Sequence, residues 1–298
     1  MIRLAVRVAS ERAELVLAEL LELAPAGVEE VQGEAGTVEY AVYGAPGELP
    51  ELPDVRAVVG DALVEISTTE IPDDWHERWK QFHRPVLIAA PRQPDGARTP
   101  PPALHVRPPW EAPSEPSRGP VHEIVIDPGQ AFGTGGHAST RLCLELLLAL
   151  AASEQPAGAL LDVGTGSGVL AIAAAGLGFG PVLGLDHEQE SVDAARENAA
   201  VNGVELEIRR FDLRRQALPW MSRADASAAA PVVLANLLRP LLLELAASMP
   251  ARPAHLLAGG LLTREVDEVV HAFAARLGLR ERERRESGEW AAVWLSAG

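Results

Sequence analysis

The sequence predicts two folded parts, a small α+β domain of ferredoxin-like order followed by a doubly wound α/β domain. Three observations carry this. Strand-like and helix-like segments follow the order strand, helix, strand, strand, helix, strand through residues 1–68. From residue 121 to 298 strands and helices alternate, as in a mostly parallel sheet covered on both faces. Between them lies a connector, 69–120, in which ten of the thirty residues from 91 to 120 are proline. Neither a helix interior nor a central strand tolerates that density.

In the first domain, residues 2–8 alternate and are β-branched, so they read as a strand. Ser10 suits an N-cap for a helix over about 11–24. On that helix Ala13, Leu17, Leu20, Leu21 and Ala24 share one face, with Glu11, Glu14 and Glu22 on the other. Strands at 28–32 and 37–43 are joined by a turn at Gly33 and Gly36, and a helix near 51–59 and a strand over 62–68 complete the order. In the connector, 73–83 reads as a helix with Trp75, Trp79 and Phe82 on a packing face. The proline-rich remainder reads as partly extended linker, within which 104–107 is a strand able to pack on the next domain. In the second domain, strands are expected at 124–126, 159–163, 182–186, 205–211, 232–235 and 255–257. Helices are expected over 140–152, after 168, and over 190–201, 239–247 and 263–277, with one or two last strands within 281–295.

Composition excludes several classes of function. The net charge of −16 repels phosphate backbones, so no direct nucleic-acid partner is expected, whereas a basic partner is attracted. Residues 1–68 hold thirteen acidic and four basic residues, a net charge of −9, which suits either a solvated surface or a docking surface for a basic partner. The single cysteine, Cys143, allows neither an intramolecular disulfide nor a cysteine zinc site, and no metal is expected. The N-terminus lacks an apolar leader segment, and the longest apolar stretch, 169–185, is interrupted by four glycines and Pro181. A cytoplasmic protein without membrane contact is expected, with a monomer favoured.

The chemistry centres on one turn. The apolar strand 159–163 runs into Gly164, Gly166 and Gly168 and then into an Ala-rich helix. Glycines there permit a tight turn and close backbone approach to a ligand, and the helix start offers unpaired N–H groups. Asp186, 22 residues past Gly164, follows the next strand, where a carboxylate can accept hydrogen bonds from a ribose diol. The dinucleotide fingerprint is Gly-x-Gly-x-x-Gly. Here the spacing is Gly-x-Gly-x-Gly with Asp162 two residues before it, which resembles motif I of the class I methyltransferases.

Two further segments narrow the resemblance. One is Asp127-Pro-Gly-Gln-Ala-Phe-Gly-Thr-Gly-Gly-His-Ala-Ser-Thr140, followed by Arg-Leu-Cys-Leu; the other is Leu234-Ala-Asn-Leu-Leu-Arg-Pro-Leu241 at a strand end. Both are similar to the ribosomal protein L11 methyltransferase family, whose first motif is close to DPGxAFGTGTHxTTxLCL. Gly288-Glu289-Trp290 matches that family's ending, and the Trp75–Trp79 region and Pro109-Trp110-Glu111 are similar to its stretch between domains. The resemblance implies a seven-stranded Rossmann-like sheet and S-adenosyl-L-methionine as methyl donor. It further implies transfer to lysine or N-terminal amino groups of a basic substrate, large-subunit ribosomal protein eleven. It places donor binding at Thr140, Gly164, Asp186 and Asn236, with Asp162, Gly166, Gly168, Phe132 and Thr134 beside them, and the catalytic role at Asn236. The family's Thr-His-Pro-Thr-Thr is here Gly136-His137-Ala138-Ser139-Thr140. That departure bears on the acceptor rather than the donor, and a related methyltransferase of another protein lysine or a small amine is the alternative.

Overall fold

The computed structural model describes residues 2–13, 16–17, 20, 23, 28–32, 36–44, 49–50, 52–70, 83–89, 102–114, 120–128, 135–153, 158–219 and 231–297. The chain divides into two units, residues 1–82 and 83–298. The predicted helix bearing Trp75, Trp79 and Phe82 lies outside the described residues, except for His83.

The first unit is a four-stranded antiparallel sheet in the order β2-β3-β1-β4. Its strands are β1 (Ile2–Ala9), β2 (Glu29–Gln32), β3 (Thr37–Gly44) and β4 (Leu63–Glu70). A 3-10 turn, Ser10–Arg12, leads into helical residues Ala13, Val16, Leu17, Leu20 and Leu23, and α1 (Leu52–Val59) precedes β4. Period-two alternation sends Leu4, Val6 and Val8 of β1 to one face, where they pack with Tyr40, Ala13, Val16, Leu20, Val55 and Val59. The Tyr40 hydroxyl donates to the Ala13 carbonyl at 3.0 Å, which satisfies a buried polar atom and ties sheet to helix. On the opposite face Arg3 and Arg7 flank buried Ala5 and pair with Glu39 at 2.6 and 2.9 Å. The Arg3 guanidinium holds the Glu39 carboxyl below its usual range.

The second unit contains a seven-stranded sheet in the order β10-β9-β8-β11-β12-β14-β13. Its parallel part comprises β8 (Leu160–Val163), β9 (Val182–Asp186), β10 (Glu207–Arg210), β11 (Val232–Asn236) and β12 (His255–Leu262). The hairpin of β13 (Leu279–Ser287) and β14 (Trp290–Ala297) closes the sheet, with β14 antiparallel to β12. Among the described residues five helices flank these strands: α2 (Ala138–Ser153), which precedes β8, and α3 (Val169–Gly176), α4 (Gln189–Val201), α5 (Arg239–Ser248) and α6 (Val266–Leu277). Alternate strand residues explain the double winding. Leu160, Leu234 and Leu257 pack with Leu144, Ile172 and Val192, whereas Leu161, Val233 and Leu256 pack with Leu245, Val269 and Phe273. The chain runs outward from β8 to β10 and then returns to β11. The topological switch point, where open α/β sheets bind ligands, therefore lies between β8 and β11.

A second, three-stranded sheet joins β5 (Val86–Ile88), β6 (Ala103–Arg107) and β7 (Val121–Val125). Ile88, Leu104, Val106 and Ile124 are buried in the same cluster as α2 and α3. The second unit thus begins well before residue 121, because two pieces of the proline-rich connector are ordered strands of its core. Pro102 and Pro108 bracket β6 without interrupting its ladder, which is where strands tolerate proline.

Glu123 fastens this sheet. It accepts from Ser114 N and Oγ at 2.9 and 2.5 Å, from Arg107 Nε at 3.0 Å, and lies 3.0 Å from His105 Nδ1. Burial by itself raises its pKa, but the Ser114, His105 and Arg107 contacts outweigh that and bring it down to about 2. A carboxyl depressed in the fold stabilises it above the unfolded-state pKa of about 4.3. That contribution fades as the pH falls from there toward 2. Glu123→Gln is therefore expected to cost about 1–3 kcal/mol at pH 7. Urea melts at pH 7 and at pH 3 should show the gap from the parent chain narrowing in acid. A gap of constant size would show that the charge of Glu123 contributes nothing.

Candidate functional site

The turn after β8 is shaped by glycines in the left-handed region, with φ of 77° at Gly164, 53° at Gly166 and 83° at Gly168. At Gly168 a β-carbon would stand 3.3 Å from the Ala195 Cα, so the loop lies directly on the α4 backbone. The Leu185 carbonyl accepts from Gly164 N and Thr165 N at 2.8 and 2.9 Å, hanging the loop from β9. Asp186, at the end of β9, accepts from Gly166 N at 2.9 Å through one carboxylate oxygen and from Glu188 N at 3.1 Å through the other. It thereby joins the two loops that leave β8 and β9.

Asp162 is 0% exposed. Its Oδ2 accepts the Thr165 hydroxyl at 2.8 Å, and its Oδ1 has no partner among the described residues. Burial pushes its carboxyl up to about 7, and the Asp186 charge adds to the rise. Burial likewise keeps the neighbouring Cys143 thiol protonated, which suits a core residue rather than a nucleophile.

On the other side of the switch point stand Asn236, at the end of β11, and Thr140, in the first turn of α2. They are 96 residues apart, and the Asn236 amide donates to the Thr140 hydroxyl at 3.2 Å. The Asn236 Oδ1 is buried without a partner among the described residues. Gly259 and Gly260 of β12 make room here. A β-carbon on Gly259 would stand 3.2 Å from Asn236 Oδ1, and one on Gly260 would stand 2.6 Å from the Leu237 carbonyl oxygen. The β12–β14 register shifts between Ala258 and Leu261, a bulge that carries β12 past the predicted end at 257.

Between these walls is a cavity of about 430 Å³, of the size that takes a cofactor. Thr140, Gly164, Gly166, Asp186 and Asn236 line it, so five of the residues expected from the sequence meet in one place. Asp162 and Gly168 shape the loop without lining the cavity, and Phe132 and Thr134 lie outside the described residues. Phe211 and Leu213, just after β10, add an apolar wall that sequence reasoning passed over; their only signal was a place after the third strand, beside Asp212.

Two asparagines, Asn198 of α4 and Asn202 at its C-terminal cap, were also missed. Asn198 Oδ1 accepts from Asp127 N at 3.0 Å while its Nδ2 donates to Ser167 O at 2.9 Å. One amide thus couples the start of the Asp127–Thr140 segment to the glycine loop. Asn202 holds Val125 through a matching pair of bonds at 2.8 and 2.7 Å. His137 and Trp290, from two remote motifs, meet edge to face at 4.6 Å, and His137 Nδ1 lies 2.8 Å from Ser139 Oγ. This arrangement organises the start of α2.

A parallel sheet with one inserted antiparallel strand, a Gly-x-Gly-x-Gly turn after β8 and a cavity at the switch point together define a class I methyltransferase. The family model for ribosomal protein L11 methyltransferase (PrmA) matches residues 55–297. A ribosomal protein L11 methyltransferase of Geobacter metallireducens is 38% identical over 234 residues, covering 78% of this chain and 69% of its own. One from Caldicellulosiruptor saccharolyticus is 32% identical over 238 residues, covering 79% and 69%. The crystal structure of ribosomal protein L11 methylase from Lactobacillus delbrueckii subsp. bulgaricus matches with a TM-score of 0.54 at 28% identity, covering 71% of this chain and 98% of that one. The chain belongs to the ribosomal protein L11 methyltransferase family.

Proposed function

We propose that the cavity between β8 and β11 binds S-adenosyl-L-methionine and that the chain methylates lysine or N-terminal amino groups of ribosomal protein L11. The observation that carries this reading is the cavity itself, with a glycine cradle and Asp186 on one side and the Asn236–Thr140 pair on the other. The residues fit the donor. Each Asp186 oxygen accepts one backbone N–H, which leaves a lone pair on each for a ribose diol. Phe211 and Leu213 offer an apolar wall to a purine, and Gly164 and Gly166 bring bare backbone close to the ligand.

When bound, S-adenosyl-L-methionine would supply an electrophilic methyl group on a sulfonium, whose transfer to a neutral amine would release the thioether and leave the amine's surplus proton to water. A lysine amine has a reference pKa of about 10.4 and must lose its proton first. Asn236 is the residue that prepares it. Its Oδ1, which has no partner among the described residues, would accept an amine N–H and so turn the lone pair toward the methyl group, and the apolar lining of Val163, Leu237 and Leu241 disfavours the charged ammonium. Most of the acceleration then comes from positioning.

The first unit is read as a ferredoxin-like recognition domain for the basic substrate. The net charge of −9 over residues 1–68 and the exposed acids Glu30, Asp61 and Glu70 support that role. No helix of the described residues is long and apolar enough to cross a membrane. The reading has the enzyme acting in the cytoplasm, as a monomer, without nucleic-acid contacts of its own. Purified chain, labelled donor and purified L11 test it. Label on L11 amines is expected, whereas label appearing on another protein of a cell extract and none on L11 would favour the alternative acceptor. Removing residues 1–68 is expected to abolish L11 methylation while donor binding persists, and full activity of the shortened chain would refute the docking role.

A further inference from the structure

Among the described residues five large hydrophobic side chains are exposed: Leu52, Val64, Leu87, Val201 and Leu238. Leu238 is the one set among cavity residues, with Asn236 and Leu237 before it and Leu241 one turn later. Leu237 points inward onto Gly164, whereas Leu238 is 64% exposed. It is also the N-cap of α5, with extended backbone and no side-chain capping bond. Local stability favours Asn, Asp, Ser or Thr at such a position, and exposed leucine gains nothing from burial. The backbone duty of the position is independent of the side chain, because the Leu238 carbonyl accepts from Leu241 N and Leu242 N. The leucine side chain therefore serves neither the helix nor the core.

We propose that Leu238 is a specificity-determining contact for the acceptor: it packs against the alkyl stem of the amine-bearing residue and sheds water from the amine as it reaches Asn236. This rests on the reading that the Asn236 side of the cavity receives the acceptor. An apolar side chain two residues from Asn236 supplies the dehydration that a neutral amine requires, which a capping asparagine in its place would not do. The predicted occupant is the amine-bearing segment of a polypeptide, whose lysine stem offers four methylenes to cover.

The test uses the full chain with Leu238→Asn and Leu238→Met, assayed with the acceptor that the parent chain methylates. Asn improves the cap, so the melting temperature should hold or rise and loss of folding is removed as a cause. The expected result is a fall of at least about tenfold in kcat/KM for the acceptor, corresponding to the loss of one partly buried leucine contact. The Kd for S-adenosyl-L-methionine should stay within about twofold, and Leu238→Met should restore most of the rate because it keeps an apolar contact. Unchanged acceptor kcat/KM in Leu238→Asn would overturn the proposal, as would an equal loss in donor affinity or failure of the methionine to rescue. The parent chain's own rate on L11 tests the substrate assignment, and the ratio of variant to parent on one acceptor tests Leu238, so the two can fail separately.

Discussion

Asn236→Ala is expected to lower kcat about 100- to 1000-fold, the range seen when one preorganised polar group is removed from a reacting centre. Donor affinity should change far less, because the glycine turn and Asp186 remain intact. The two ends of the Asn236 amide stand in different surroundings. Its nitrogen is held by Thr140 at 3.2 Å, which fixes the orientation of the group. Its oxygen is buried and has no partner among the described residues, a state that costs about 1–3 kcal/mol unless a donor satisfies it. Asn236→Asp keeps an acceptor oxygen and should recover part of the rate. Single-turnover methylation and calorimetry with the donor separate the two effects. Equal losses in turnover and affinity, or no loss in either, would remove Asn236 from the acceptor side.

Gly260→Ala is expected to be the most damaging small substitution. Gly260 has φ of 76°, and an added β-carbon would meet the Leu237 O, C and N atoms at 2.6, 2.9 and 3.0 Å. These are backbone atoms that cannot rotate aside. Left-handed strain and overpacking together cost about 3 kcal/mol, equivalent to a drop of roughly 10 °C in Tm for a domain of this size. The displaced backbone is that of the Asn236–Leu237 turn, so methylation should fall with stability. Gly203→Ala is the control, since Gly203 has φ of 65° but nothing within 4 Å of its β-carbon position. It should lose only about 1 kcal/mol and keep its rate. Matching losses in the two variants would mean that the close approach to Leu237 is unimportant.

The two halves of the site differed in how much could be read before folding. The glycine turn is local: strand, turn and helix occupy consecutive residues, and Asp186 stands one strand later at the spacing that a βαβ unit requires. The Thr140–Asn236 pair was suggested by family motifs, but its hydrogen bond follows from β11 returning beside β8. Asn198 sits in a polar helix and Asn202 caps its end, and nothing in their neighbours marks them as anchors. Their role arises only because β7 and the glycine loop converge on α4. The strand at 104–107 was legible as β6, but the prolines of the connector suggested irregular chain elsewhere, and β5 formed between Pro85 and Pro91 because ladder bonds to β6 and burial against α2 outweighed the local preference.

The strands and helices of the seven-stranded sheet, their order and the donor-side turn were written in consecutive residues, because helix and strand periodicity and glycine's access to left-handed backbone are local properties. The cavity, the orphaned Asn236 oxygen, the close approach of Gly260 and the exposure of Leu238 were decided by tertiary structure. They depend on which distant strands become neighbours, and burial of apolar surface settles that choice for the chain as a whole.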